Sequence, residues 1–223
     1  MGNPFLVWYC LSMMTEFKKR KLGLVYDAFD KDILKMQQYT RRLVDEYNSL
    51  SVDDEARKNQ ILKALFKKDD FGEYRQIEKP MFIDNCYEVK IGRNFYANVD
   101  MKLIGGCEIT IGDNVFFGPG VTLATGMHSL IKEERRIIRD VNGKLRDFEY
   151  GKPIVICDDV WIASNVTVCG GVTIGEGSVI GAGSVVTRDI PSGVLAFGNP
   201  CKVIRKITDR DGIFQGDKKY GLY

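Results

Sequence analysis

Residues 154–188 read IVICDDVWIASNVTVCGGVTIGEGSVIGAGSVVTR. An aliphatic residue recurs at every sixth position of this stretch, in the series Ile156, Ile162, Val168, Ile174, Ile180 and Val186. Two positions ahead runs a second series of small or β-branched residues, namely Ile154, Val160, Val166, Val172, Ser178 and Ser184. Turn-forming triplets such as Gly-Glu-Gly and Gly-Ala-Gly lie between them. Short strands separated by a turn every six residues predict a β-solenoid whose aliphatic side chains point inward and stack from coil to coil.

The same period is present upstream, after Pro80. Steps of six residues from Ile91 reach Ala97, Leu103, Ile109, Val115 and Val121, which are all apolar. One segment interrupts the pattern: residues 129–153, SLIKEERRIIRDVNGKLRDFEYGKP, have no six-residue period and are rich in charge. We expect this segment to leave the solenoid as a protruding loop. Loops of this length inside a compact domain are usually functional.

The N-terminal part has a helical pattern instead. Apolar residues recur at steps of three and four over residues 30–50, and the set Ile61, Leu62, Leu65 and Phe66 marks one face of a second helix. The pattern divides the chain into residues 1–13, a short apolar extension that is either disordered or an artefact of the start site, residues 14–80, a helical segment, residues 81–204, the solenoid, and residues 205–223, a tail. The extension is too short to span a membrane.

Composition excludes several classes of function. The 32 basic and 30 acidic residues leave a formal net charge of +2, which is too little for a protein that binds a phosphate backbone through counterion release. A single histidine excludes metal sites that need several imidazoles, and the six scattered cysteines lack zinc-ligand spacing. We therefore expect reduced, structural cysteines, no metal and no nucleic-acid partner.

The single histidine, His128, lies where the first block of repeats ends and the protruding loop begins. A lone histidine is more often structural than catalytic. Next to a long charged loop, however, it becomes the leading candidate for a general base, because a free imidazole has a pKa of about 6.5 and is largely neutral at physiological pH.

Several motifs together resemble one known family. They are GRNFYAN at residues 92–98, DVWIAS at 159–164, GAGSVVTRDIP at 181–191, GNPCKVIR at 198–205, and Tyr26-Asp27 in the helical part. Over roughly residues 20–210 the chain is similar to the maltose and galactoside O-acetyltransferases. The resemblance implies a mainly β fold, a left-handed parallel β-helix preceded by a helical hairpin. The left hand comes from the resemblance, since general topology rules favour right-handed crossovers.

The resemblance also implies direct acetyl transfer from acetyl-CoA to a sugar hydroxyl. It makes His128 the general base, with Asn98 near the reacting centre and Ser164 as donor to the oxyanion. It assigns acceptor binding to Asp84, Tyr96 and Asn98. It assigns cofactor binding to Trp161, Ser164, Ala182, Thr187, Arg188, Lys202 and Arg205. It further implies a homotrimer with active sites between subunits. The reduced cysteines and the run MTEFKKRK from Met14, which is typical of a cytoplasmic N-terminus, predict a cytoplasmic protein with no membrane partner.

Two departures from the family pattern leave the acceptor open. Residues 104–107, Ile-Gly-Gly-Cys, stand where the galactoside enzymes have an aspartate, and the loop after His128 is longer and more charged. Maltose, glucose, a galactoside, a glycan precursor and a non-sugar alcohol all remain possible acceptors. An antibiotic O-acetyltransferase and a non-catalytic trimeric scaffold are the alternative functions.

Overall fold

The aliphatic positions of the six-residue period form one continuous core. In the computed structural model, which describes residues 14–213, both downstream series are fully or almost fully buried, from Ile154 to Val186. Their strands stack as parallel sheets on three faces of a solenoid. The predicted extension at residues 1–13 lies outside the described residues.

The three faces are visited in turn by each coil. The first face contains β4 (Val89–Ile91), β7 (Ile109–Ile111), β14 (Ile154–Ile156) and β17 (Thr173–Ile174). The second face contains β2 (Gln76–Ile77), β5 (Tyr96–Ala97), β8 (Phe116–Phe117), β15 (Trp161–Ile162), β18 (Val179–Ile180), β20 (Val194–Phe197) and β21 (Lys202–Lys206). The third face contains β3 (Met81–Ile83), β6 (Met101–Ile104), β9 (Thr122–Ala124), β16 (Thr167–Cys169) and β19 (Val185–Val186). All neighbours within a face are parallel except β21, which folds back antiparallel on β20. The strands of the solenoid begin at Gln76, a few residues ahead of the solenoid boundary predicted from the repeats.

Coil length differs along the solenoid. Ile156 pairs with Ile174, 18 residues on, whereas Ile91 pairs with Ile111, 20 residues on. The two additional residues lie in the turn between β6 and β7. As a result, the upstream series of six-residue steps crosses from one inward row to the other: Ile109 stacks on Val89, not on Ile91. The series remains apolar because both rows are buried.

Two edges of this three-sided solenoid matter for function. The second–third edge consists of the turns at residues 98–100, 118–121, 163–166 and 181–184. Each of these turns places one residue at positive φ, in the column Asp100, Gly120, Asn165 and Gly183. The third–first edge consists of the turns at residues 84–88, 105–108, 125–153 and 170–172. Its turns differ in length, and the longest contains the predicted protruding loop.

The protruding loop forms small antiparallel sheets of its own. Its strands are β10 (Gly126–Met127), β11 (Ile138–Arg139), β12 (Leu145–Arg146) and β13 (Phe148–Gly151). β11 pairs with β12, while β13 lies between β10 and β1 (Tyr26–Asp27) from the N-terminal part. The loop is therefore tied to the helical segment as well as to the solenoid.

Among residues 14–213, three helices pack at the N-terminal end of the solenoid, namely α1 (Glu16–Lys21), α2 (Lys31–Ser49) and α3 (Glu55–Phe66). Single 3₁₀ turns span Cys86–Glu88 and Asp209–Asp211. The Asp30 carboxylate caps α2 by accepting from the backbone N–H of Ile33. The hydroxyl of Tyr47 donates to the carbonyl of Ile77 at 2.7 Å, so α2 covers the first coil. Within residues 14–213, the helices are all too short or too polar to cross a bilayer.

Candidate active site

A cavity of about 410 Å³ opens at the third–first edge. Its charged and polar lining combines the helical segment, two short turns and the protruding loop, and includes Arg20, Gln37, Asp84, His128, Asp147 and Glu149. Apolar side chains on the outside of the third face, Phe82 and Ile104, complete one wall. Another cavity, of about 320 Å³, lies near α3 and β2 and contains none of the predicted site residues. The first cavity is therefore the candidate acceptor site.

The three-stranded sheet β1–β13–β10 positions the histidine in this cavity. Tyr26 of β1 lies opposite Glu149 of β13, and Tyr150 of β13 lies opposite Met127 of β10. His128 follows Met127 directly, so it projects from the end of this sheet. The side chain of His128 is 54% exposed, which leaves the imidazole accessible to a substrate.

A carboxylate lies beside the imidazole. Oε1 of Glu149 is 3.7 Å from Nε2 of His128, and Oε2 of Glu149 accepts a hydrogen bond of 2.7 Å from the Tyr26 hydroxyl. Asp147 lies nearby, and the ligand-type atoms of His128, Asp147 and Glu149 are all within 4.8 Å of one another. Such a trio has the donor types of a divalent-cation site. The same three groups also suit a histidine whose imidazole is supported by carboxylates. The hydrogen bond from the Tyr26 hydroxyl to Glu149 favours this second interpretation.

A buried arginine organises the floor of the cavity. The Arg20 guanidinium donates to Oε1 of Glu88 at 2.7 Å and to Oδ2 of Asp84 at 3.1 Å, and it lies 5.2 Å from the centre of the Tyr26 ring. Burial alone would lower the pKa of Arg20, but the charge and hydrogen bond of Glu88 outweigh it and raise that pKa. Burial raises the pKa of Tyr26 in spite of the opposing Arg20 charge, so its hydroxyl remains protonated and donates.

Asp84, predicted to bind the acceptor, lines the cavity but is already heavily bonded. Besides Arg20, Nε2 of Gln37 donates to Oδ2 of Asp84 at 3.0 Å, and Arg41 approaches Oδ1 to 3.6 Å. Gly105 faces this cluster, since a Cβ there would lie 2.5 Å from the Arg20 guanidinium and 3.1 Å from Asp84. The glycine at this position therefore leaves room for the charged network.

The other predicted catalytic and acceptor residues lie elsewhere on the solenoid. Asn98 is in the turn after β5, on the second–third edge, where its amide nitrogen is 2.9 Å from the hydroxyl oxygen of Tyr96. Ser164 is in the equivalent turn after β15, and the N–H of Gly183, next to Ala182, donates to the carbonyl of Ser164 at 2.9 Å. The third face, about 13 Å wide at four residues per strand, separates this edge from His128. Within one chain, the structure brings Asp84 to His128, but it does not bring Asn98, Tyr96 or Ser164 there.

The predicted cofactor residues extend from the second–third edge toward the C-terminus. Trp161 is 52% exposed on the second face, directly above Phe116, whose ring is 5.8 Å from that of Tyr96. Thr187 and Arg188 follow β19 and are exposed, and Lys202 and Arg205 lie on the outer strand β21. Arg205 forms a two-bond ion pair with Asp211, at 2.6 and 2.8 Å. This pair lowers the pKa of Asp211 to about 2.

Sequence reasoning missed four residues of this arrangement: Arg20, Glu149, Phe116 and the hydroxyl of Tyr26. Glu149 could have been suspected only from its place in the charged loop that follows His128. The pairing of β1 with β13, which brings Tyr26 to Glu149 across more than a hundred residues, has no signal in the local sequence. Phe116 occupies an outward position of the repeat and could have been found by continuing the column from Tyr96 to Trp161.

Comparison with known proteins places this fold in a class. Residues 153–188 match the family model described as bacterial transferase hexapeptide (six repeats), and residues 19–69 match the maltose acetyltransferase hexapeptide capping motif. Together with the three-sided solenoid, these matches define a hexapeptide-repeat transferase with an N-terminal capping segment.

Individual relatives narrow the class. The chain is 41% identical to the galactoside O-acetyltransferase of Escherichia coli over 77% of this chain and 79% of the relative. The crystal structure of a maltose O-acetyltransferase from Clostridium difficile is 38% identical with a TM-score of 0.79, over 88% of this chain and 99% of that one. A hexapeptide-repeat acetyltransferase of Vibrio cholerae, complexed with acetyl-CoA, is 33% identical with a TM-score of 0.74, over 88% and 100%.

The chain therefore belongs to the maltose and galactoside O-acetyltransferase family of hexapeptide-repeat proteins. This membership confirms the fold class predicted from the sequence, a left-handed parallel β-helix preceded by a helical hairpin. It also confirms the predicted enzyme class, an acyltransferase that uses acetyl-CoA as cosubstrate.

Proposed function

We propose that this protein transfers the acetyl group of acetyl-CoA to a hydroxyl of a sugar or glycoside, with His128 as the general base. The observation that carries this proposal is the accessible imidazole on the wall of the 410 Å³ cavity, with a carboxylate beside it. A neutral imidazole is the side chain best suited to remove a hydroxyl proton near neutral pH.

The chemistry is a direct transfer. His128 takes the proton of the acceptor hydroxyl as its oxygen attacks the thioester carbonyl, which forms a tetrahedral oxyanion. Ser164 donates to that oxyanion, and a preorganised donor interacts more strongly as the negative charge develops. The C–S bond then breaks, the acetyl ester forms, and the imidazolium returns its proton to the departing CoA thiolate. Holding both substrates in one cleft supplies much of the rate enhancement.

We further propose that the working site is formed by two copies of the chain in a homotrimer. The support is geometric: His128 and Asp84 lie on the third–first edge, while Asn98, Tyr96 and Ser164 lie on the second–third edge of the same solenoid. When solenoids associate side by side, the third–first edge of one copy can meet the second–third edge of the next, and a closed ring repeats this contact at every interface. Acetyl-CoA would then lie against Trp161 on the second face and Ala182 on the second–third edge, with Thr187, Arg188, Lys202 and Arg205 near its phosphates.

The lining of the cavity favours a hydroxyl-rich acceptor. The carboxylates of Asp84, Asp147 and Glu149 and the amide of Gln37 offer acceptors and donors to several hydroxyls at once, as a sugar ring requires.

We also propose that the enzyme works in the cytoplasm. The free cysteines in residues 14–213, including buried Cys86 and Cys107, fit a reducing compartment.

The test is release of the CoA thiol from acetyl-CoA in the presence of maltose, glucose, a β-galactoside or chloramphenicol. We expect release with at least one sugar and its loss in His128→Ala, by a factor of about 10² to 10⁴. Asn142→Ala, an exposed change at the tip of the same loop, is the matched control and should keep wild-type turnover. Release with chloramphenicol alone would identify an antibiotic acetyltransferase instead, and an active His128→Ala would remove the proposed base.

A further inference from the structure

The sheet β1–β13–β10 places a carboxylate and a tyrosine behind the proposed base. We propose that Glu149, held by the hydroxyl of Tyr26, is a positioning residue that fixes the orientation of the His128 imidazole and stabilises its protonated form. This inference rests on the proposed function, because it concerns the same base, and it adds residues to which the family resemblance gave no role.

The pairing of three backbone strands brings these residues together. β13 hydrogen-bonds to β10 on one side and to β1 on the other, with Tyr26 opposite Glu149. His128 directly follows β10. The three side chains therefore come from β1, from β13 and from the end of β10, which are adjacent strands. The helical segment therefore reaches the catalytic edge through β1 and does more than cover the end of the solenoid.

The side-chain geometry gives each group one task. The Tyr26 hydroxyl donates to Oε2 of Glu149 at 2.7 Å, which leaves Oε1 directed toward Nε2 of His128 at 3.7 Å. This separation is longer than a hydrogen bond, and catalytic contacts of this kind often shorten when substrates bind. With the Nε2 edge facing the carboxylate, Nδ1 is the nitrogen left to accept the acceptor's proton. The carboxylate then stabilises the imidazolium that forms in the transition state.

Tyr26 is suited to hold Glu149 in place. It is 1% exposed, its ring packs against the Arg20 guanidinium, and Arg20 is itself fixed by Glu88 and Asp84. Because burial raises the pKa of Tyr26, its hydroxyl donates throughout the pH range in which the enzyme can work. A buried, hydrogen-bonded support of this kind fixes a catalytic side chain more firmly than an exposed one.

Other charged groups surround the cavity. From α1 comes Arg20, paired with Glu88 and Asp84, and from β1 comes Asp27, paired with Arg146 at 2.8 Å. From the turn before β13 comes Asp147, whose carboxylate faces His128 as Glu149 does. Glu149 is therefore one of two carboxylates that face the imidazole, and its removal should leave part of the electrostatic support in place.

Two variants test the inference. In Glu149→Gln we expect kcat to fall about tenfold, with the KM for acetyl-CoA unchanged, because the base is less well oriented. In Tyr26→Phe the ring and the Glu149 charge are kept, so we expect kcat to fall only about threefold, again with the KM for acetyl-CoA unchanged.

Matched controls separate positioning from folding. Glu108→Gln removes a carboxylate of similar exposure, paired with Lys90 outside the cavity, and Tyr150→Phe makes the same chemical change on β13. Both should keep the wild-type kcat and KM. The inference is overturned if Glu149→Gln has wild-type kcat while His128→Ala is inactive. An active His128→Ala would instead overturn the proposed function itself, so the two failures are distinguishable.

Discussion

The second–third edge and the third–first edge of the solenoid are built from the same kind of coil but differ in regularity. On the second–third edge every turn has three or four residues, and one residue in each has positive φ. On the third–first edge the turns range from a few residues to the excursion at residues 125–153. The regular edge carries Ser164 and Ala182, two of the residues that the family resemblance assigns to acetyl-CoA, which is the invariant substrate. The irregular edge carries the candidate acceptor cavity. Constant geometry thus coincides with the constant substrate, and variable geometry with the substrate that differs between relatives.

The largest expected effect tests whether the two edges form one site. His128→Ala removes a residue of one edge and Asn98→Ala a residue of the other, and each should lower turnover at least about a hundredfold. If a site takes His128 from one copy and Asn98 from its neighbour, co-expression of the two variants in equal amounts restores intact sites. Random association then gives about a quarter of wild-type activity. A mixture as inactive as the separate variants would place both residues of a site in one chain.

The next effect concerns the stability of the irregular third–first edge. Arg20→Ala leaves the buried carboxylate of Glu88 without its partner, which should lower the free energy of unfolding by about 3–5 kcal/mol. Arg57→Ala, which breaks an exposed pair with Glu46 on the helices, is the control and should leave the free energy of unfolding almost unchanged, because solvent screens an exposed pair. Denaturant titration of both variants measures the difference. Equal midpoints would mean that the Arg20 network does not stabilise this edge.

A smaller effect is expected on the regular edge. Asn165 has φ of 57°, a conformation that asparagine tolerates better than alanine, so Asn165→Ala should destabilise the protein by about 1 kcal/mol. Asn165→Gly is the matched control, because glycine already occupies this column at Gly120 and Gly183, and it should cost less. Comparison of the free energies of unfolding of the two variants tests this expectation. A larger loss for glycine than for alanine would contradict a backbone explanation.

The smallest effect concerns acetyl-CoA binding. Arg205, assigned to a CoA phosphate, is engaged by Asp211, whose pKa of about 2 keeps it ionised over the working pH range. The pair is lost only as the pH falls toward 2, so competition with a phosphate persists at neutral pH. Asp211→Asn should therefore lower the KM for acetyl-CoA about two- to threefold at low salt. Asp209→Asn, an exposed neighbour, should leave the KM unchanged. A higher KM in Asp211→Asn would show that the pair presents Arg205 to the cofactor instead of competing for it.

The regular part of this molecule could be predicted from the sequence because each coil contacts mainly its neighbours. The inward rows follow from the period alone, and so do the turns that contain Asn98 and Ser164. The shift of row between Leu103 and Ile109 was missed, because two additional residues preserve an apolar pattern while changing which strands pair. The surroundings of His128 depend on β1 pairing with β13, a long-range contact between short strands, and such contacts have no local period to reveal them.

The register of the first face continues undisturbed across the longest insertion: Ile109 pairs with Ile154, 45 positions away, as Val89 pairs with Ile109, 20 positions away. Loop-closure entropy grows only with the logarithm of loop length, so bridging the longer gap adds about 0.7 kcal/mol to the entropic penalty of closing the coil. A large change of chain length at this edge is thus compatible with an unchanged stack of strands above and below it. The architecture separates the length of the acceptor loop from the stability of the scaffold, which allows one to vary while the other is conserved.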